Sequence, residues 1–252
     1  MSTDNLLEKV KQLREITGVG FKDCKIAIDE NNGDIEKSVE YLRKKGIAKA
    51  NKRMGRIAAE GLVCIYEENN KFSIIEVNSE TDFVAKNSEF VNFAEEIARL
   101  SLLKEGKMEN ILTSKMKNKK DVNDNLVSLI SKIGEKINLR RTAYIGSENS
   151  HNFSYVHSPI KNKIGKLGVI LSIESSKPKN KIQELGKQLS MHIAASSPLS
   201  IDKDTLSKEI LEKEKEIIID ELKNSGKDEK IIEKISQGKL NKFISDNTLL
   251  NQ

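Results

Sequence analysis

The chain has 252 residues, of which 32% are charged and 4% aromatic, with no Trp; 43 basic against 38 acidic residues leave a formal charge of +5. That length holds two or three small domains, and the composition points to a helix-rich, strongly solvated protein with thin aliphatic cores. The positive excess is too small and too dispersed to argue for nucleic acid, and no apolar run approaches a membrane span.

Residues 1–46 read as a compact three-helix domain. Leu6, Val10 and Leu13 form one stripe, and Thr17-Gly-Val-Gly20 breaks it. Cys24, Ala27 and Ile28 follow on a second helix. Gly33-Asp34 supplies a turn and an N-cap, Ile35, Val39 and Leu42 recur at helical spacing on a third helix, and Gly46 suits its C-terminal cap. Residues 47–56, with Lys49, Lys52, Arg53 and Arg56, are a basic linker or an extended helix end.

Residues 57–139 read as a first α+β core subdomain. Two short strands, Gly61–Tyr66 and Phe72–Val77, are joined by Glu67-Glu-Asn-Asn-Lys71, a hairpin signal. A helix over Ser88–Leu103 carries Phe90, Ala94, Ile97 and Ser101 on one side, widened by Phe93 and Leu100, so it packs broadly on a sheet. The basic cluster Lys115–Lys120 reads as a solvated loop. A further helix, Val122–Asn138, is expected to bury Leu126, Leu129, Ile130, Ile133 and Ile137.

Residues 140–252 read as a second α+β core subdomain. Strands are expected at Thr142–Ile145, Phe153–His157 and Leu167–Ile173, then a helix over Lys179–Ala194 with Ile182, Leu185, Leu189 and Ile193 inward. Strand, polar loop and packed helix recur in both halves, so the fold class is α+β, with two related subdomains built on small antiparallel sheets. From Asp204 to Lys239 the chain is polar and helix-prone, broken at Asn224-Ser-Gly226. Leu206, Ile210, Ile217 and Leu222 make one narrow seam and Ile231, Ile232 and Ile235 another, the pattern of a projecting antiparallel helical hairpin at about 204–239.

No constellation for bond-making or bond-breaking stands out. There is no phosphate-binding Gly-x-x-x-x-Gly-Lys-Ser/Thr. His151 and His157 lack partners at metal-ligand spacing, and Ser79 and Ser190 lack a nucleophile-elbow context. Cys24 and Cys64 are far apart, outside any Cys-x-x-Cys, as reduced cytosolic thiols are. No basic region followed by an apolar stretch opens the sequence, so the expected location is cytoplasmic. The expectation is a non-enzyme without cofactor, metal or small-molecule substrate.

One loop breaks the pattern. Strand Phe72–Val77 ends in Asn78, Ser79, Glu80 and Thr81, and then Asp82 and Phe83 place an aromatic beside a carboxylate where turn formers are the rule. Either Phe83 folds back onto the core while Asp82 or Ser88 caps the following helix, or the loop is a protruding wedge that presents an apolar anchor and a charge to a partner. The string Thr81-Asp-Phe-Val-Ala85 closely resembles the signature of the bacterial elongation factor Ts family, guanine-nucleotide exchange factors for elongation factor Tu. Leu13-Arg-Glu-Ile-Thr-Gly-Val-Gly-Phe-Lys-Asp-Cys-Lys25, Asn32-Gly-Asp-Ile-Glu36, Lys132-Ile-Gly-Glu-Lys-Ile-Asn-Leu-Arg-Arg141 and Met191-His-Ile-Ala-Ala-Ser-Ser-Pro198 resemble further family strings in order and approximate spacing.

The resemblance implies a ubiquitin-associated-like fold for the first domain, docking on the partner around Gly18, Val19, Gly20 and Asp23. It implies that Phe83 inserts between helices of the partner's nucleotide domain and that Asp82 disturbs contacts around the magnesium site. Val84 and Ala85 would extend the apolar contact, Thr81 would hold the loop, and Lys86 closes the motif. A lone His on a packed helix is more often a core or capping residue than a functional one, but the resemblance implies that Met191 and His192 face the partner. Elongation factor Tu, a translational GTPase, is the implied partner, with no direct nucleic acid and no membrane. Where many members continue with a Pro-Phe segment, a helix and a strand, this sequence stops at Leu249-Leu-Asn-Gln252, as a shortened form or a piece of a longer one, and that module's contacts are not carried over. The competing class is an RNA- or ribosome-binding accessory module acting through the basic linker, with steep salt dependence.

Overall fold

A computed structural model describes residues 3–53, 55–224 and 229–252. Two compact units divide the chain, one running to Gly186 and the other covering Lys187–Gln252.

The first unit opens with three helices, α1 (Thr3–Thr17), α2 (Phe21–Glu30) and α3 (Ile35–Arg53). Val10, Leu13, Cys24, Ala27, Ile28 and Leu42 meet in their buried centre, as three-and-four spacing dictates. Asp34 caps α3, accepting the Lys37 N–H at 3.0 Å. Gly46 does not end α3. It is a buried interior residue, and a Cβ there would stand 3.5 Å from Ser131 and 3.8 Å from Val127. The helix continues to Arg53, so much of 47–56 is an extended helix end.

β1 (Glu60–Glu68) and β2 (Lys71–Ser79) pair antiparallel from Glu60–Ser79 to Glu68–Lys71. Asn69 and Asn70 close the hairpin with φ of 50° and 60°, the two-residue geometry that matches strand twist and that Asn tolerates. One helical turn, α4 (Asp82–Ala85), leads into α5 (Ser88–Leu103), followed by α6 (Met108–Leu112) and α7 (Val122–Ile133). The helix expected to reach Asn138 stops at Ile133, because Gly134 (φ 89°) takes a left-handed cap whose N–H returns to the Ile130 carbonyl. Ile137, expected on that helix, is buried in β3 (Ile137–Ile145) instead. β3 pairs antiparallel with β2, and Thr142–Ile145 are its last residues.

β4 (Ser150–His157), β5 (Ile164–Gly165) and β6 (Leu167–Glu174) complete the sheets: one of order β3-β2-β1-β5 and one pairing β4 with β6. Among the described residues every pairing between these strands is antiparallel, and helices and small sheets together make an α+β protein. The predicted face of α5 is the buried one: Phe90, Phe93, Ala94, Ile97 and Leu100 pack with Leu62, Cys64, Ile75 and Val77 of the sheet, and Ser101 is buried with its hydroxyl on that of Thr142. Each large apolar side chain so buried contributes on the order of 1.5–3 kcal/mol. On the sheet's other face β6 comes close through Gly168, which lies against Val63, Ile65 and Ile74.

α8 (Lys179–Ser196) crosses the boundary between the units. Ile182 is buried as expected, but Leu185 is 49% exposed. The Phe153 ring occupies the space a side chain at Gly186 would need, 2.4 Å from its Cβ position, so the helix turns small residues inward.

In the second unit, α9 (Lys208–Asn224) and α10 (Glu229–Asn247) pack together through Ile218, Leu222 and Ile232, and Lys239 pairs with Glu221 at 2.8 Å. Of the expected seam, Leu206 and Leu222 are buried, whereas Ile210 and Ile217 are exposed. Ser225 and Gly226 of the expected turn, and the side chain of Ile231, lie outside the described residues. A last turn, Leu249–Asn251, returns to the loop after α8, with the Leu249 and Leu250 N–H groups on the carbonyls of Ser200 and Ile201. Among the described residues no helix is long and apolar enough to cross a membrane.

Candidate functional site

The loop between β2 and α5 is short and held at both ends. Val84 and Ala85 are 6% and 3% exposed, and Val84 joins the main core. Phe83, between Asp82 and Val84, is 79% exposed. The reading in which Phe83 folds back onto the core is therefore not what the chain does. Neither Asp82 nor Ser88 caps α5: Asn87 does, its Oδ1 accepting the N–H groups of Glu89 at 2.9 Å and Phe90 at 3.3 Å. Val84 and Ala85, expected as added contact surface, hold the turn down on the sheet.

Asp82 and Lys86 form an exposed pair one helical turn apart, Nζ to Oδ2 3.1 Å. The hydrogen bond from Lys86 holds the Asp82 carboxyl below the usual aspartate range. At the loop's base, Thr81 donates its N–H to Glu135 Oε2 at 3.0 Å and its hydroxyl to Glu135 Oε1 at 2.7 Å. Glu80 accepts the Lys136 N–H at 2.5 Å and an Arg56 Nη1 proton at 3.3 Å. The backbone bond from Lys136 leads in holding Glu80 below its ordinary value, with Arg56 adding to it. The Ser79 hydroxyl, fully buried, donates to the Thr81 carbonyl at 2.9 Å. Sequence reasoning assigns no part to Glu80, Asn87 or Glu135. Gly134-Glu-Lys136 sits within a string singled out by resemblance, and that is the available signal.

The turn between α1 and α2 belongs to the same unit. Gly18 has a φ of 65°, and Lys132 Nζ stands 2.9 Å from where its Cβ would be. Lys132 in turn bonds Glu89, in the first turn of α5, so the lysine that lies against this turn also pairs with the start of the helix after the Phe83 loop. Val19 is half-buried against the helical core, and Gly20 is exposed, with open space where a Cβ would stand. Asp23 is bound to Lys49 at 2.7 Å and Lys45 at 3.3 Å. The hydrogen bond from Lys49 keeps its carboxyl below the usual aspartate range, against the upward push of burial. Ile16 and Phe21, flanking this turn, are 56% and 42% exposed.

Of the basic stretch 47–56, Lys49 is taken by Asp23, Arg53 donates to the Ile130 carbonyl at 3.0 Å, and Arg56 is on Glu80. Lys49, Arg53 and Arg56 are thus each bonded within the unit, and Lys52 is exposed.

In the second unit Met191 and His192 are both exposed, so His192 is no core residue. Its Nε2 lies 2.8 Å from Gln252 Oε1, which also accepts the Ser196 hydroxyl at 2.8 Å. Among the described residues no three His, Cys, Asp or Glu side chains are grouped to hold a metal ion. The arrangement is one of exposed apolar and charged side chains on a hydrogen-bonded base, suited to protein contact.

Comparison with known proteins points the same way. The family model described as elongation factor TS matches residues 80–252. Elongation factor Ts of Parvibaculum lavamentivorans is 41% identical over 244 residues, covering 96% of this chain and 79% of that protein. Elongation factor Ts of Maricaulis maris is 42% identical over 246 residues, and that of Rhizobium etli 40% over 244, with the same coverage.

Proposed function

The chain belongs to the elongation factor Ts family, and on that premise we propose that it binds elongation factor Tu carrying GDP and promotes release of the nucleotide, so that GTP rebinds. A GTPase holds its nucleotide through a phosphate-cradling loop and a magnesium ion that bridges phosphate oxygens. Loosening that grip requires no covalent chemistry. It requires a protein whose affinity for the nucleotide-free partner exceeds its affinity for the loaded one, and linkage then makes protein and nucleotide weaken each other by the same factor.

Phe83 supplies the wedge and Asp82 the charge. Phe83 enters between helices of the partner's nucleotide domain, and Asp82, on leaving Lys86, disturbs the contacts around the magnesium. Thr81 holds the loop, with Val84 and Ala85 as its anchor. The three helices of residues 1–46, read as a ubiquitin-associated-like domain, dock through Gly18 to Asp23. Met191, His192 and the α9–α10 pair, read as a projecting hairpin, grip other surfaces of the partner. The setting is cytoplasmic, and the protein works without cofactor, nucleic acid, membrane or small-molecule substrate.

The observation that carries this reading is the exposure of Phe83, 79%, on a turn whose next two residues, Val84 and Ala85, are buried. Release of fluorescent GDP from elongation factor Tu tests it, with the wild-type chain and Phe83→Ala. Acceleration that the substitution largely abolishes supports the wedge. Acceleration that survives it moves the mechanism to Asp82 or the docking surfaces, and no acceleration by a folded chain refutes the exchange role.

A further inference from the structure

Two turns meet beneath α4. Glu80-Thr81 leaves β2, and Glu135-Lys136 leaves α7. Each lends its carboxylate to the other's backbone: Glu135 takes the Thr81 N–H and hydroxyl, and Glu80 takes the Lys136 N–H. Charge-assisted bonds of this kind are roughly twice as strong as neutral ones, and their reciprocity means that neither turn shifts without breaking both sets. Thr81 is also the residue from which α4 starts, with φ −127° and ψ 158°, and its hydroxyl makes no cap on that helix but donates to Glu135. Arg56 on Glu80, and the Lys136 ammonium on the Arg56 carbonyl at 2.8 Å, brace the same junction.

We propose that Glu135 is a positioning residue for nucleotide release: by fixing Thr81 it holds the Asp82–Ala85 turn rigid, so that Phe83 displaces partner groups rather than folding away from them. The inference rests on the exchange reading above. A wedge hinged at its base yields on contact, and the binding energy then goes into ordering the loop instead of opening the partner.

The test measures fluorescent-GDP release from elongation factor Tu across a range of chain concentrations for wild type, Glu135→Ala, Glu135→Gln and Thr81→Val, with amide hydrogen exchange of each free chain. Glu135→Ala is expected to lower the maximal release rate about tenfold, the worth of one charge-assisted hydrogen bond, with little change in the concentration for half-maximal effect. The Thr81 amide should lose protection. Glu135→Gln keeps an acceptor and the side-chain volume, so it should recover part of both effects and keeps the test open if the alanine variant folds poorly. Adding Thr81→Val to Glu135→Ala should cost little more, since the two act through one contact. A wild-type maximal rate in Glu135→Ala, while Phe83→Ala is impaired, overturns the positioning role alone. A wild-type chain that releases no GDP overturns the exchange reading, and the positioning role with it.

Discussion

Phe83 and Val84 are adjacent on a single helical turn and face opposite ways, one 79% exposed and the other 6%. Contact with a partner and stability of the fold therefore separate by one residue. Phe83→Ala should leave the urea midpoint nearly unchanged, within about 0.5 kcal/mol. Val84→Ala removes two buried methyl groups and should cost about 1.5 kcal/mol, at roughly 0.8 kcal/mol per group. Equal losses in the two variants would mean that Phe83 is packed in solution and is no wedge.

Gly61 in β1 should not tolerate a side chain. Its φ is 132°, and a Cβ would stand 2.1 Å from the Val77 carbonyl oxygen across the hairpin. Backbone or strand must give way, and strained backbone of this kind costs about 1–3 kcal/mol even before the clash. Gly61→Ala should lose at least that much stability by denaturant unfolding. The Phe83 loop leaves the same strand pair, so its exchange activity should fall as well. A variant as stable as wild type would show that the hairpin relaxes freely here.

Period and position carry much of the fold in the sequence. The α5 stripe is legible because six residues at helical spacing face one sheet, and the hairpin because Asn69-Asn70 fits a single turn type. What is illegible depends on a neighbour distant in sequence. Leu185 is exposed because Phe153 claims the space over Gly186, and nothing within α8 encodes that ring. At the site, the resemblance singles out Phe83 but not Glu135, since a carboxylate bonded across 54 positions leaves no local period. Leu222 keeps its expected place in the α9 seam, but within three consecutive isoleucines, Ile217 to Ile219, it is Ile218 and not Ile217 that is buried. Ile218→Ala should destabilise the second unit by about 2–5 kcal/mol, and Ile217→Ala by far less. Thermal unfolding of the two variants decides the register, and the reverse order would restore the sequence reading.

Glu76 takes both arginines at the end of the Lys132–Arg141 string, Arg140 at 2.7 Å and Arg141 at 2.5 Å. A bulge in β3 opposite Glu76 and Val77 makes this possible, turning two consecutive side chains toward one carboxylate. Burial pushes the Glu76 carboxyl up, but the hydrogen bonds from Arg140 and Arg141 outweigh it and hold it below the usual glutamate range. A folded-state value below the unfolded one contributes stability above the unfolded value, and that contribution is lost as pH falls through the folded value. The stability difference between wild type and Glu76→Gln should thus be full at neutral pH and shrink below about pH 4.5. A difference that grows in acid would mean that the arginines do not hold the carboxylate.

Cys24 and Cys64 offer a probe of local opening. Both thiols are buried, and burial pushes Cys64 up to about 12, so little thiolate exists in the folded chain at neutral pH. Burial raises Cys24 as well. Labelling then requires opening, and the two sites differ in what must open. Cys64 lies in the cluster of sheet, α5 and α7, with 20 buried residues, whereas Cys24 shares a cluster of six in the three-helix region. Small clusters open at lower free energy than large ones. In a disulfide-exchange assay at mild alkaline pH, Cys24 should label first and Cys64 only near the rate of global unfolding. Equal rates would mean that the three helices and the sheet unfold as one cooperative body, and docking through Gly18 to Asp23 would then draw on no independent motion of that region.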